Sequence, residues 1–166
     1  MISLRTAEPE DFPSIRAVLT AAFETPEEAN LVEALRAEGC VILELIAEND
    51  DEIAGHILFS ELPIESGPRT VRGAALAPIA VLPSHQRMGI GGALIHMSLA
   101  MLAHEGVEAV VVLGHADYYP RFGFSADLAA KLDTPFNGPH LMAMELEPGS
   151  IEGLAARPRY ARAFGV

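Results

Sequence analysis

Val81-Leu82-Pro83-Ser84-His85-Gln86-Arg87-Met88-Gly89-Ile90-Gly91-Gly92-Ala93 joins two apolar stretches through a polar, glycine-rich turn. Upstream, Ala74 to Val81 has the composition of a buried strand. Downstream, Ala93, Leu94, Met97, Ala100 and Met101 recur at helical spacing, which predicts a helix from about Gly89 to Glu105 with those residues on its apolar face. A helix start carries amide N–H groups without partners and a partial positive charge, and both suit a phosphate. Glycines at 89, 91 and 92 allow an anion to reach the backbone without meeting a Cβ, and Arg87 adds a cation. Gln86, Arg87, Met88, Gly89, Ile90, Gly91 and Gly92 thus have the chemistry of a pyrophosphate cradle.

Two common cradles are excluded. A P-loop ends in Gly-Lys-Ser/Thr, and this turn has no lysine. A dinucleotide-binding turn places its third glycine where Leu94 stands, and it follows the first strand of its unit. The string Gln86 to Gly92 instead resembles the Q/R-x-x-G-x-G/A signature of the GNAT superfamily of acyl-CoA-dependent N-acetyltransferases. The strand ending Ile79-Ala80-Val81 and the Leu-Pro that follows it strengthen the likeness. Further on, Tyr118-Tyr119-Pro120-Arg121-Phe122-Gly123-Phe124 resembles the superfamily's Y-x-x-x-G-F segment, with Tyr119 four residues before Gly123. A branch of predicted acetyltransferases with a Tyr-Tyr-x-Arg-Phe-Gly-Phe segment is similar here, and Leu76 to Pro83 agrees with it. The likeness extends from the first strand to Leu146. His115-Ala116 departs from it, since the branch usually carries an acidic residue, often with proline, after the glycine.

The resemblance implies an α/β fold of GNAT type: a mixed, twisted sheet flanked by helices, with a bulged strand at the cofactor site. Pro78, inside the strand Gly73 to Val81, independently requires an irregularity, because proline cannot donate to a ladder. By resemblance, the amides freed at such a bulge bind the pantetheine arm and thioester carbonyl of acetyl-CoA. Ile79, Ala80 and Val81 join the cofactor-binding set on that ground.

The rest of the chain fits around this centre. Ser3 to Ala7 reads as a strand; Phe12, Ile15, Leu19, Ala22 and Phe23 mark an amphipathic helix. Thr25-Pro26-Glu27-Glu28 is a capping box that opens a second helix ending at Gly39. The resemblance assigns this helical pair to the acceptor side. Val41 to Glu48 and Glu52 to Glu61 form a hairpin, and Leu62 to Arg72 reads as a loop. Val107 to Leu113 is apolar enough to be buried on both faces, which predicts a parallel βαβ crossover through the central helix. Leu141 to Glu147 is the last clear strand before an irregular tail.

The 166 residues, half of them hydrophobic, are expected to form one domain, 1–166, with one core. No run of 18 apolar residues and no signal sequence is evident, so a soluble, cytoplasmic protein without a membrane partner is expected. Cys40 alone cannot form an internal disulfide or a cysteine zinc site, and the six histidines show no paired ligand spacing, so no metal is expected. A net charge of −12 argues against nucleic acid. Residues 1–52 hold thirteen acids and three bases, whereas residues 53–166 hold ten and eight. The cradle therefore sits in a nearly neutral segment. Acidity at the amino end favours a cationic substrate or is simply a solvated face. Oligomeric state is open, a homodimer included.

Amide formation from a thioester needs a neutral amine, support for the oxyanion and a proton for the departing thiolate. By resemblance Tyr119 supplies that proton. His115, at the carboxyl end of a central strand, is the candidate base, with Glu44, Glu48, Glu61 and Asp117 as rivals. Two functions follow: transfer of acetyl from acetyl-CoA to a primary amine of a small molecule, peptide or protein within a ternary complex, or a non-catalytic acyl-CoA-binding regulatory module.

Overall fold

The computed structural model describes residues 1–151 and 156–166. Among these, seven strands form one sheet. The first six are β1 (Ile2–Thr6), β2 (Val41–Asn49), β3 (Glu52–Ser66), β4 (Arg69–Val81), β5 (Ala109–Leu113) and β6 (Leu141–Glu145), adjacent in that order. The two-residue β7 (Arg157–Pro158) pairs with β3. Every pairing is antiparallel except β4 with β5, which is parallel and spanned by a helix, as the strand–helix–strand order predicts.

Helices α1 (Phe12–Phe23) and α2 (Glu27–Glu38) cover one face, burying Ile15, Val18, Leu19, Val32 and Leu35 against Ile46, Leu58 and Ala80. Gly39, at φ +71°, ends α2 in the left-handed conformation that its missing Cβ permits. The capping signal at Thr25 lies one residue further from the helix than its pattern predicts. Pro26 is the cap, and the Thr25 hydroxyl donates to Glu28 Oε1 at 2.7 Å. A short helix α4 (Ala126–Ala129) and the carboxyl-terminal segment cover the rest of this face over Leu62, Ile64, Ala75 and Val111. Helix α3 (Ile90–His104) packs on the opposite face against Leu45, Ala47, Ile57 and Phe59.

Two sequence expectations are corrected. Leu62 to Arg72 is no loop: β3 and β4 continue as a long hairpin whose turn is Gly67-Pro68. Leu62, Ile64 and Val71 are fully buried, and that burial outweighs the strand-breaking character of Pro63. Pro63 directs its backbone toward β7, where its carbonyl accepts from the Arg159 amide at 2.8 Å, so its missing donor leaves the β4 ladder intact. The second correction concerns α3, which buries Ile90, Leu94, Ile95, Ser98, Leu99 and Leu102 and exposes Ala93, Met97 and Ala100. Because the helix is apolar nearly all round, periodicity alone could not choose its inner face. The choice is made by the sheet: a Cβ at Gly55 would lie 2.9 Å from Ile90 Cγ2, so glycine there lets the start of α3 sit down on β3.

Pro78 produces the expected irregularity. Ile57 faces Ile79 while Phe59 faces Leu76, so Ala77 and Pro78 together stand against Leu58. Parallel pairing with β5 stops at Leu76, opposite Val112. Beyond it, β4 and β5 separate, and the sheet opens between them.

Candidate active site

The opening between β4 and β5 is an open cleft of about 1140 Å³ that passes from the α3 face to the α1–α2 face. Its floor is the free edge of β4 at Ile79, Ala80 and Val81. Backbone N–H groups on a strand alternate between its two edges, so those of this segment that point away from β3 face the cleft.

The turn into α3 borders the cleft on one side. Arg87 has φ +66°, and Gly89, the cap of α3, has φ +79°. Left-handed conformations at both positions turn the chain sharply into the start of α3. At the start of α3 the amides of Gly89 through Gly92 have no acceptor among the described residues; the first helical bond runs from Ala93 N to Gly89 O at 3.0 Å. The Gln86 side chain donates to Val81 O at 3.1 Å, tying the turn to the end of β4. Gln86, Arg87, Gly89, Ile90, Gly91 and Gly92 border the cleft, while Met88 projects outward with 57% of its surface exposed. Nothing lies within 4 Å of where a Cβ on Gly89 would sit, but the two glycines that follow make room for neighbours. A Cβ on Gly91 would lie 3.0 Å from the Tyr118 hydroxyl oxygen, and one on Gly92 would lie 3.7 Å from the Phe122 ring.

The segment after β5 forms the other side. The amides of Tyr118 and Tyr119 both donate to His115 O, at 3.1 and 3.3 Å, folding the chain back toward α3. Tyr119 is 7% exposed, its ring edge-on to Tyr118 at 5.2 Å and to Phe124 at 5.8 Å between centroids. Gly114 forms its seat, for a Cβ there would lie 2.4 Å from Tyr119 Cε2. Burial, with a smaller contribution from Tyr118, pushes the Tyr119 phenol up to about 12. Tyr118 is raised too, by burial and against the nearby Arg121. His115 is exposed and lines the same cleft.

The rival carboxylates lie elsewhere. Glu44 is buried beneath α2, bonded to Arg36 Nη2 at 2.5 Å and to His56 Nε2 at 2.7 Å. Glu48 pairs with Arg5 on the far side of β1. Glu61 and Asp117 are exposed, and neither lines the cleft.

Sequence reasoning missed the carboxyl-terminal part of the far wall. Phe136, Tyr160 and Phe164, from the segment read as irregular tail and its approach, line the cleft on the α1–α2 face, as do Phe23, Glu28 and Leu31. The one visible signal was the recurrence of aromatics at 160 and 164 beyond the last strand. Gly114 was equally silent, since a lone glycine does not announce which ring will lie on it.

Residues 3–124 match the Acetyltransferase (GNAT) family, and the chain belongs to that family. Among its relatives are two proteins of Escherichia coli known as uncharacterized N-acetyltransferases. YjhQ is 40% identical over 116 residues, covering 69% of this chain and 64% of YjhQ, and YhbS is 36% identical over 131 residues, covering 78% and 76%. This chain thus spans less than two thirds of YjhQ. Among solved structures, E. coli YhbS in complex with CoA superposes with a TM-score of 0.89 at 29% identity, over 99% of this chain and 92% of that one. A GNAT family acetyltransferase from Brucella melitensis in complex with acetyl-CoA gives 0.80 at 34% identity, over 99% and 98%. No helix among the described residues is long and apolar enough to cross a membrane.

Proposed function

We propose that this protein transfers the acetyl group of acetyl-CoA directly to a primary amine, both substrates lying in the cleft between β4 and β5. The observation that carries the reading is the convergence of three features on one opening: the unpartnered amides at the start of α3, the free edge of β4, and the buried tyrosine at 119. Similar chains bind CoA or acetyl-CoA, which supports acetyl-CoA as co-substrate here. In this assignment Gln86 through Gly92 receive the pyrophosphate, Met88 by its backbone alone. Amides at Ile79 to Val81 support the acyl arm and the oxyanion.

In the reaction the neutral amine nitrogen attacks the thioester carbonyl carbon, the C–S bond breaks, and the proton that the nitrogen then loses is balanced by the one that makes the departing thiolate a thiol. An alkyl ammonium with a pKa near 10 must shed one proton before attack, and His115, at the cleft wall, is placed to pass it to water. The Tyr119 hydroxyl donates to the departing sulfur. A phenol raised to about 12 stays protonated throughout the neutral range, so it is always a donor. Full transfer to an ordinary thiolate, near 8.5, would run uphill; burial that raises the phenol raises the thiol as well and brings the two closer. The base-independent core of the mechanism is therefore a hydrogen bond that strengthens as sulfur gains charge.

The test is release of free thiol from acetyl-CoA across a panel of primary amines, beside calorimetric binding of CoA to the same sample. Amine-dependent thiol release is expected. CoA binding without turnover on any amine would instead select the regulatory module, and no CoA binding would overturn both.

A further inference from the structure

The cleft is unequal in charge and in surface. On the α3 side it carries Arg87 and Arg121; on the α1–α2 side Glu28 is the one carboxylate among the described lining residues. Glu28 is in the first turn of α2, half-buried, and held by the Thr25 hydroxyl. Around it the surface is apolar: Leu31 from the same helix, and Phe23, which leaves 39% of its surface exposed at the mouth. Facing them, Phe136 meets Tyr160 edge to face at 4.9 Å, and Tyr160 meets Phe164 at 5.5 Å. This wall is fixed before any ligand arrives. Phe164 packs against both buried clusters on this face, and Thr134 accepts from the Phe136 amide at 3.3 Å. Tyr160 lines the cleft, its ring held between Phe136 and Phe164.

From this we infer that the acceptor is an aryl-alkyl amine, its ammonium drawn to Glu28 and its ring stacked on the wall of Phe136, Tyr160 and Phe164. A short polar amine would leave the aromatic wall wet, and an anionic body would meet Glu28. A cationic group facing a carboxylate and a ring meeting rings edge to face are each favourable, and together they select a ligand that carries both. The inference rests on the acetyl-transfer reading for the word acceptor, while the subsite itself is a binding claim.

The experiment titrates the CoA-loaded protein with 2-phenylethylamine, with ethylamine, which lacks the ring, and with 2-phenylethanol, which lacks the charge. 2-Phenylethylamine is expected to bind about tenfold or more tighter than either. Glu28→Gln should bring it down to the level of 2-phenylethanol and leave 2-phenylethanol unchanged. Tyr160→Leu should weaken both aromatic ligands and spare ethylamine. Equal binding of ethylamine and 2-phenylethylamine, or a Glu28→Gln protein with full preference for the amine, overturns the subsite. Turnover separates the two claims. Selective binding of 2-phenylethylamine without acetylation of any amine defeats the transferase and upholds the subsite. Acetylation of ethylamine and 2-phenylethylamine with equal kcat/KM defeats the subsite and upholds the transferase.

Discussion

The two sides of the cleft are built from different materials. On the α3 side the ligand-facing surface is mostly backbone: the turn at 86–92, whose amides at Gly89 through Gly92 have no acceptor among the described residues. On the α1–α2 side it is side chains, brought from the first two helices, from Phe136 and from the last residues of the chain. A site of backbone amides recognises what every family member shares, because any sequence that makes the turn presents the same N–H groups. A site of side chains can change with each substitution. Under the proposed function the common substrate belongs to one side and the particular one to the other, and that division can be broken experimentally.

The largest effect is expected at the backbone side. Gly91→Glu places a Cβ 3.0 Å from the Tyr118 hydroxyl and a negative charge at the positive end of α3. Affinity for CoA should fall about 1000-fold, roughly 4 kcal/mol, in a protein that still unfolds cooperatively. Calorimetry on the folded variant decides it, and near-normal affinity would remove the pyrophosphate from residues 86–92. Such a fall should come without any change in preference among amine ligands measured at saturating CoA.

Next in size is Tyr119→Phe. If the hydroxyl serves the departing sulfur, kcat should fall about 100-fold with acetyl-CoA affinity unchanged. Tyr118→Phe is the control, since the two rings touch and both residues line the cleft. A normal rate in Tyr119→Phe with an inactive Tyr118→Phe would move the role one residue upstream. Normal rates in both would place the tyrosines outside the chemistry.

A smaller loss, about 10-fold in kcat, is expected for Gly114→Ala, whose added methyl displaces the Tyr119 ring by a fraction of an ångström or more. Its CoA affinity should match the parent protein. If its rate does as well, ring position matters less than ring identity. No sequence pattern pointed to this position as the seat of the tyrosine. That gap illustrates a general limit: Gly91 was legible because its neighbours in sequence form the turn, whereas Gly114 owes its importance to a ring that the following turn folds back onto it.

The smallest effect separates the faces by their response to acid. Beneath α2, burial lowers His56 against the pull of Glu44, so the imidazole is neutral, donates through Nε2, and leaves Nδ1 without a partner among the described residues. Burial alone would raise Glu44, but hydrogen bonds from His56 and Arg36 outweigh it and bring the carboxyl down. Both groups bind protons more readily in the unfolded chain. Stability should therefore be flat above the unfolded imidazole value of about 6.5, decline as pH falls below it, and lose the Glu44 contribution below about 4.5. Each pKa unit of depression corresponds to about 1.4 kcal/mol. Urea midpoints across this range check the sign, and a midpoint that holds or rises between pH 7 and pH 5 would contradict it. His56→Gln should remove the upper step alone.

The sequence by itself determined the strand–turn–helix–strand centre, the bulge at Pro78 and the cradle at 86–92, because each depends on residues adjacent in the chain: glycine where a Cβ has no room, proline where a donor is missing, an apolar run where both faces are covered. It did not choose the inner face of α3 or extend β3 and β4 through Leu62 to Arg72, since those outcomes were decided by what lay opposite. Beyond the resemblance that put the first two helices on the acceptor side, it was silent about how this wall of the cleft is assembled. Glu28, Phe136, Tyr160 and Phe164 are far apart in sequence and carry no shared pattern, and only burial of the amino-terminal helices and the carboxyl-terminal segment on one face of the sheet brings them to the same opening.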